Sequence, residues 1–322
     1  MDVNVTEILR EATVFTAGAP AVPKLLATII PAFNERERIC DTIKALRAIE
    51  PRLREHKITQ RIYVIDDGSS DGTGRIAEAA GADRVIRHRI NRGLGAAVRT
   101  GMAAARAEDA DMMVKIDADL QHDPADILSL IQPIMADEAE VVYGDRFDRI
   151  SYKMPLVRRI GNRVFSRLMR FLTGWPVRDS QPGILAVSRA YLTVFRLPGD
   201  YNYTQQILID AYAKGMRFAQ VSVAFRKRTT GKSFVTLRYP FRVLPQIFWV
   251  IVGVRPMKIF VPIGSFFFGL GSLVFLWELS EYFEGLTSRP VEDVNLVLGS
   301  VLFGLQTVFF GVLAQLVIDN QR

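Results

Sequence analysis

Residues 61–73 read Arg61-Ile62-Tyr63-Val64-Ile65-Asp66-Asp67-Gly68-Ser69-Ser70-Asp71-Gly72-Thr73. A short apolar, β-branched run stops abruptly in acids and glycines, the signature of a strand ending in a turn. The same event recurs twice. Residues 25–30 run into Pro31-Ala32-Phe33-Asn34-Glu35, and residues 112–116 run into Asp117-Ala118-Asp119-Leu120-Gln121. Further strand-like runs lie at 84–86 and 140–143. Helical patterns occupy 38–49, 73–80, 96–107 and 124–135. Strands alternating with helices predict an α/β fold with a mostly parallel sheet. Ligands of such sheets sit at the carboxyl ends of strands, so three acidic strand ends predict one acidic cleft.

The turns exclude several chemistries. The Asp66-Asp67-Gly68 turn is no EF-hand, because the acidic spacing fails at Ser69. It is no P-loop, because no Gly-Lys-Ser/Thr follows. Gly93-Leu94-Gly95-Ala96-Ala97-Val98 carries Val where a dinucleotide fingerprint needs its third glycine. In an extended backbone, Asp117 and Asp119 face the same side. Two carboxylates so placed repel unless a cation joins them, and hard oxygen ligands suit Mg²⁺ or Mn²⁺.

The chain has 322 residues, 49% of them hydrophobic and 23% charged, with a net charge of +7. Its mean hydropathy is +0.14. This composition excludes a disordered chain. The apolar residues are unevenly spread: residues 259–277 and 294–318 carry no charge at all. About 20 mostly apolar residues span a bilayer, so the two runs predict a transmembrane hairpin. Arg226, Lys227, Arg228, Lys232, Arg238, Arg242, Arg255 and Lys258 precede it with no acid among them, whereas residues 278–293 hold five acids and only Arg289. The positive-inside rule places residues 1–258 and the tail in the cytoplasm, with the chain a multi-pass protein of the cell membrane. The basicity is thus a juxtamembrane stripe and not a nucleic-acid surface. Residues 239–254 mix apolar and basic side chains, with Pro245 and Pro256, and read as an interfacial helix. The domains expected are an extension (1–24), a catalytic domain (25–235), interfacial helices (236–256), and the hairpin with a short tail (257–322). Small residues Gly264, Gly269, Gly271 and Ser272 hint at homo-oligomers through the hairpin. A lone Cys40 excludes an internal disulfide. No cleaved signal is expected in residues 1–24, where Asp2, Glu7, Arg10 and Glu11 interrupt any apolar run.

Taken in order, Pro31–Glu35, Val64–Thr73, Asn91-Arg92-Gly93-Leu94-Gly95 and Asp117-Ala118-Asp119-Leu120-Gln121-His122-Asp123-Pro124 resemble the family-2 glycosyltransferases. The nearest group is that of dolichol-phosphate mannose synthases and polyprenyl-phosphate glucosyltransferases. The resemblance covers roughly residues 25–235. It implies a GT-A fold, a nucleotide-sugar donor of GDP-mannose or UDP-glucose type, Mg²⁺ or Mn²⁺, and inversion at the anomeric carbon. It implies a donor pocket of Pro31, Phe33, Glu35, Asp66, Asp67 and Asp117. Asp117, Asp119 and Gln121 would hold the metal and the donor diphosphate. Asp119 and Asp179 stand as catalytic residues. Arg146, Arg158 or Arg159, Arg228 and Lys232 would hold an acceptor phosphate. Asp145 replaces the usual Ser of Gly-Ser-Arg, and Ile184 replaces a usual Phe.

The acceptor follows from a missing group. Relatives that glycosylate a hydroxyl carry a Thr-Glu-Asp-like segment supplying a base, and this chain reads Thr204-Gln205-Gln206. A hydroxyl acceptor needs help losing its proton. A dolichyl or undecaprenyl phosphate is already anionic and needs only cations, which guanidinium forks supply. Asp179 has an alternative role as an ion pair with Arg178 or a neighbour. His88 and His122 could approach the diphosphate. The competing readings are a processive polysaccharide synthase, which expects more spans and a Gln-x-x-Arg-Trp motif absent here, and a non-catalytic membrane scaffold.

Overall fold

The computed structural model describes residues 23–147, 156–197, 199–200, 202–226, 252 and 255–319, without the side chains of 156–160 and 319. Seven strands form one sheet: β1 (Lys24–Ala32), β2 (Ile58–Asp66), β3 (Arg84–Arg87), β4 (Met112–Lys115), β5 (Val141–Asp145), β6 (Leu185–Ser188) and β7 (Phe218–Ser222). Their spatial order is β3-β2-β1-β4-β6-β5-β7. Every pairing is parallel except those of β6, which runs against both β4 and β5.

Ten helices are described: α1 (Ile39–Ala48), α2 (Glu50–Glu55), α3 (Thr73–Ala79), α4 (Leu94–Ala107), α5 (Ile127–Met135), α6 (Leu156–Thr173), α7 (Arg189–Val194), α8 (Tyr203–Ala213), α9 (Met257–Phe283) and α10 (Val294–Asp319). Both faces of the parallel strands are covered, as parallel sheets require. Leu26 and Ile30 of β1 join Ile62, Val64, Ile39, Ile43 and Leu130 on one face. Ala27 and Ile29 join Tyr63, Ile65, Val98, Met102 and Met113 on the other. Alternation with period two therefore buries apolar side chains on both sides of one strand.

The five strands expected from the sequence are present, with β1 and β2 longer at their ends. Only the first turn of the pattern at 124–135 departs, as a 3₁₀ turn at Pro124–Asp126. The spacing did not reveal β6, β7, α2, α6, α7 or α8. β6 has four residues and β7 is half-buried along its length, so neither shows a clean period.

α9 and α10 are each long and apolar enough to cross a membrane, with mean hydropathy 2.1 over their most apolar windows. They pack against each other through glycines. A Cβ on Gly264 would meet the Gly304 carbonyl oxygen at 2.6 Å, and one on Gly271 would meet the Val301 side chain at 2.9 Å. Of the four small residues noted in the sequence, Gly264 and Gly271 are used in pairing within the hairpin, whereas a Cβ on Gly269 would meet nothing within 4 Å. The expected interfacial helix at 239–254, Arg228 and Lys232 lie outside the described residues, apart from Val252.

Candidate active site

The carboxyl ends of β1, β2 and β4 lie side by side, because β1 pairs with both of the others in parallel register. The loop after β1 is zipped to the loop after β2. Asn34 N donates to Ser69 Oγ (3.0 Å), Glu35 N to Thr73 Oγ1 (3.0 Å), and Ser70 N to Asn34 Oδ1 (3.1 Å). Asn34 takes a left-handed conformation, φ 54°, which Asn tolerates better than most residues. Pro31 is buried in β1, and Phe33 stands exposed at the rim. Glu35 pairs with Arg38 at 3.0 Å.

Asp66 and Asp67 are buried and face inward. Asp66 Oδ1 accepts from Ser69 N (2.8 Å). A Cβ on Gly74 would meet Asp66 Oδ2 at 2.7 Å, so the glycine makes room for that carboxylate. Asp67 Oδ1 accepts from Arg92 N (2.9 Å) and Oδ2 from Gly93 N (2.7 Å), while His88 Nδ1 lies 2.6 Å from Oδ1. The carboxylate of Asp67 thus holds the Arg92-Gly93 loop in place. His88 completes that clamp through Thr100 Oγ1 at 3.0 Å.

Asp117 and Asp119 do not lie on a strand. β4 ends at Lys115, and Leu120 adopts φ 58°, so the two acids occupy a turn. The extended-strand expectation for this pair is corrected accordingly. Asp117 Oδ1 accepts from Lys115 Nζ at 2.5 Å, and Lys115 Nζ also donates to Gly183 O at 2.9 Å. Asp119 Oδ1 accepts from the backbone of Gln121 (3.1 Å). Gln121 Nε2 donates to Arg226 O (3.0 Å), and Arg226 N returns a bond to Gln121 O (2.8 Å). The acidic turn is thereby tied to the segment that leads towards Arg228. His122 stacks at a tilt on Phe225, ring centroids 5.0 Å apart. Burial pushes its imidazole down to about 4, so it is neutral at ordinary pH.

Lys115 is a functional candidate that the spacing missed, since one cation inside an apolar strand resembles a strand edge. Burial alone would pull its pKa down, but Asp117 and Tyr203 outweigh burial and the net direction is up.

On the other half of the sheet, β5 ends in Gly144-Asp145-Arg146. Arg146 Nε lies 2.8 Å from Asp179 Oδ2, and Arg178 Nε lies 3.1 Å from Asp145 Oδ2. The neighbours Asp145-Arg146 face the neighbours Arg178-Asp179 in two reciprocal ion pairs. Asp179 therefore forms an ion pair, as its alternative role expected, with Arg146, while Arg178 pairs with Asp145. The pairs also explain Asp145 in a place where Ser is usual. Asp179 is 0% exposed. Burial pushes its carboxyl above the ordinary range, although Arg146 pulls it down. Arg146 also donates to Gln181 O (2.9 Å), and its guanidinium lies over Phe225 at 5.2 Å. Thr204, Gln205 and Gln206 are buried. Gln206 is committed to Gly199, accepting from its N at 3.0 Å. Arg158 and Arg159 fall in α6, and their side chains lie outside those described.

Divalent-cation binding can be tested on donor chemistry. Asp117 offers Oδ2, opposite the oxygen that Lys115 holds. A Cβ on Gly183 would stand 2.8 Å from Oδ2 and would also clash with His122 Nε2, so the glycine makes room for both side chains, and the Asp117 side chain is 31% exposed. Among the described residues no three His, Cys, Asp or Glu side chains gather to hold a metal. The acids fit a hard cation that completes its coordination with phosphate oxygens of a substrate.

Comparison with known proteins agrees with this geometry. Residues 27–195 match the family described as Glycosyl transferase family 2. The UDP-N-acetylglucosamine–dolichyl-phosphate N-acetylglucosaminyltransferase of Methanococcus voltae is 34% identical over 189 residues, 53% of this chain and 72% of that protein. Glycosyltransferase AglJ of Haloferax volcanii is 27% identical over 306 residues, 93% of this chain and 96% of its own length. The crystal structure of Mycobacterium tuberculosis glucosyl-3-phosphoglycerate synthase with Mn²⁺ and UDP-glucose superposes with a TM-score of 0.55 at 23% identity. That superposition covers 71% of this chain and 78% of the other, and shows a shared fold.

Proposed function

We infer the reaction from one premise: the chain belongs to glycosyl transferase family 2, has the GT-A fold and is a glycosyltransferase. Its relatives include polyprenyl- and dolichyl-phosphate sugar transferases. The reaction proposed moves a hexose from a nucleotide sugar, of GDP-mannose or UDP-glucose type, to the phosphate of a dolichyl or undecaprenyl lipid.

One observation carries the choice of acceptor. Where a hydroxyl-accepting relative would place a carboxylate, this chain buries Thr204, Gln205 and Gln206. A phosphate acceptor needs no base, because it arrives as an anion. It needs cations, and Arg146 supplies one beside the cleft. Asp179, which burial biases towards its protonated form, positions that guanidinium. Arg158, Arg159, Arg228 and Lys232 are proposed as further phosphate ligands.

Donor binding is assigned to Pro31, Phe33, Glu35 and Asp66 at the ends of β1 and β2. Asp67 positions the loop that closes on them. Asp117 and Asp119, with Gln121 beside them, would hold Mg²⁺ or Mn²⁺. When bound, that cation supplies charge stabilisation to the diphosphate that leaves. The acceptor oxygen attacks from the face opposite the diphosphate in one displacement. An α-linked donor therefore gives a β-linked product.

The membrane reading has its own support. The exposed face of α6 presents Arg163, Val164, Arg167, Arg170 and Phe171, basic and apolar together. Val164 is 57% and Phe171 63% exposed. Lys258, in the first turn of α9, donates to Phe171 O (2.5 Å) and Leu172 O (3.2 Å). The basic face of α6 thus adjoins the start of an apolar helix, the arrangement suited to anionic headgroups at a bilayer surface. We place α9 and α10 across the membrane and the catalytic domain on its cytoplasmic side.

The test is a product assay. Purified full-length chain in detergent is incubated with polyprenyl phosphate, Mg²⁺ or Mn²⁺, and a panel of GDP- and UDP-sugars. The expected result is a glycosylated lipid phosphate with one donor, lost with chelator and in Asp119→Asn. Nucleotide release without a lipid product overturns the acceptor assignment.

A further inference from the structure

Lys115 is the one charged residue of β4, between β1 and β6 in the middle of the sheet, and it is 0% exposed. An ammonium buried there is costly unless every donor is used. Its partners come from three separate segments around the cleft. They are Asp117 Oδ1 at 2.5 Å, Gly183 O at 2.9 Å, and the ring of Tyr203 at 5.5 Å. Tyr203 opens α8, immediately before the Thr204-Gln205-Gln206 segment.

We infer that Lys115 is a built-in counter-cation for the acidic turn, and that it sets how tightly a divalent cation is held there. The inference rests on the reading that Asp117 contributes to a cation site. Asp117 has two oxygens, and Lys115 takes one. The other lies beside Gly183 and the His122 ring, and the Asp117 side chain remains 31% exposed. A divalent cation at Oδ2 shares its carboxylate with a fixed positive charge. Repulsion acts on both charges of the ion, so the ion alone binds weakly. A donor diphosphate brings negative charge that offsets the ammonium and the ion together. Lys115 thus makes cation binding depend on nucleotide, so that the two enter as a pair. Without it, Asp117 would hold a metal tightly in the empty enzyme and after the product diphosphate had formed.

The test uses the full-length chain in detergent and follows free Mn²⁺ by electron paramagnetic resonance, alone and with UDP or GDP. Wild type is expected to bind Mn²⁺ weakly alone and strongly with one of the two nucleotides. Lys115→Met should bind Mn²⁺ alone about tenfold more tightly, because a nearby positive charge is gone. The gap between the two conditions should shrink with it. Lys115→Arg, which keeps the charge, should behave as wild type. Lys115→Gln, which is neutral and can still donate to Gly183 O, gives a second reading should the methionine variant fold poorly. Thermal melting of each variant reports folding independently. Unchanged or weaker Mn²⁺ binding in folded Lys115→Met or Lys115→Gln, with binding still lost in Asp117→Asn, overturns this inference alone. No Mn²⁺ uptake by wild type with either UDP or GDP overturns the cation site itself, and this inference with it.

Discussion

The two halves of the sheet hold their charges in different ways. At the ends of β1, β2 and β4, acids other than Asp117, which the Lys115 side chain holds, are captured by backbone N–H groups of loops close by. Asp66 takes Ser69, Asp67 takes Arg92 and Gly93, and Asp119 takes Gln121. At the ends of β5 and β6, charges are held by other side chains from distant segments. Asp145 takes Arg178, and Arg146 takes Asp179. The first arrangement fixes loops and leaves acidic groups facing a cation or a nucleotide. On the proposed function, the second holds cations that an incoming phosphate would share with their carboxylate partners. A donor site benefits from rigidity, and an acceptor site for an anion benefits from exchangeable pairs.

The largest effect should come from the turn that has no substitute. Asp119→Asn is expected to lower sugar transfer about 10²–10³-fold, in line with loss of a group that stabilises developing charge. Its melting temperature should stay near wild type, since Asn can still accept the Gln121 N–H. A comparable loss of activity accompanied by unfolding would contradict the division between the halves.

Next come the reciprocal pairs. Arg146→Met leaves Asp179 buried without its guanidinium and should cost about 3–5 kcal/mol of stability, as breaking a buried pair does. The companion Asp145→Asn keeps an acceptor for Phe147 N and loses only the attraction of Arg178, whose side chain is 56% exposed. It should cost about 1 kcal/mol or less. Chemical denaturation of both variants checks the asymmetry, and equal costs would break it.

Asp67→Asn sharpens the donor half. One of its two side-chain oxygens, each accepting a backbone N–H, becomes an NH₂ donor facing Arg92 N or Gly93 N, a loss of about 1–3 kcal/mol for a buried bond. Hydrogen exchange of the Arg92 and Gly93 amides should quicken, and the KM for donor should rise with kcat nearly unchanged.

The smallest effect concerns a cluster far from the cleft. The Tyr63 hydroxyl donates to Glu108 and holds its carboxyl below the ordinary range, aided by Arg61 and Arg84 against burial. A carboxyl lowered in the folded state adds stability above its unfolded pKa, and that stability fades as pH falls through the folded value. Glu108→Gln should thus lose about 0.5–1 kcal/mol at pH 7, typical of half-exposed pairs. The difference should vanish in acid, below the lowered folded value. Melting curves at neutral and acidic pH measure it.

The division also explains what the sequence made legible. The donor half announces itself, because Asp66 and Asp119 are followed within three positions by Ser69 and Gln121, which satisfy them, although Asp67 reaches Arg92 and Gly93 25 and 26 positions on. Strand, acid and glycine appear together, as at Ile65-Asp66-Asp67-Gly68. The acceptor half does not. Arg146 and Asp179 are 33 positions apart, and only the reversal of β6 between β4 and β5 brings their loops together. The four residues of β6 carry too little pattern to announce that reversal. Lys115 was hidden for a related reason: its partners are assembled by the fold, and in sequence it merely interrupts an apolar strand. The hairpin was visible from composition, yet the use of its glycines emerged only when Gly264 met Gly304.

The central claim is that the acceptor is a phosphate, and one comparison tests it most directly. Purified chain with its donor and Mg²⁺ is given a polyprenyl phosphate and, separately, the corresponding polyprenol, and the lipid products are measured. The account predicts a glycosylated product from the phosphate and none from the alcohol, with Arg146→Met depressing the first. A product formed from the polyprenol at a comparable rate would contradict it, because Thr204-Gln205-Gln206 offers that hydroxyl no carboxylate.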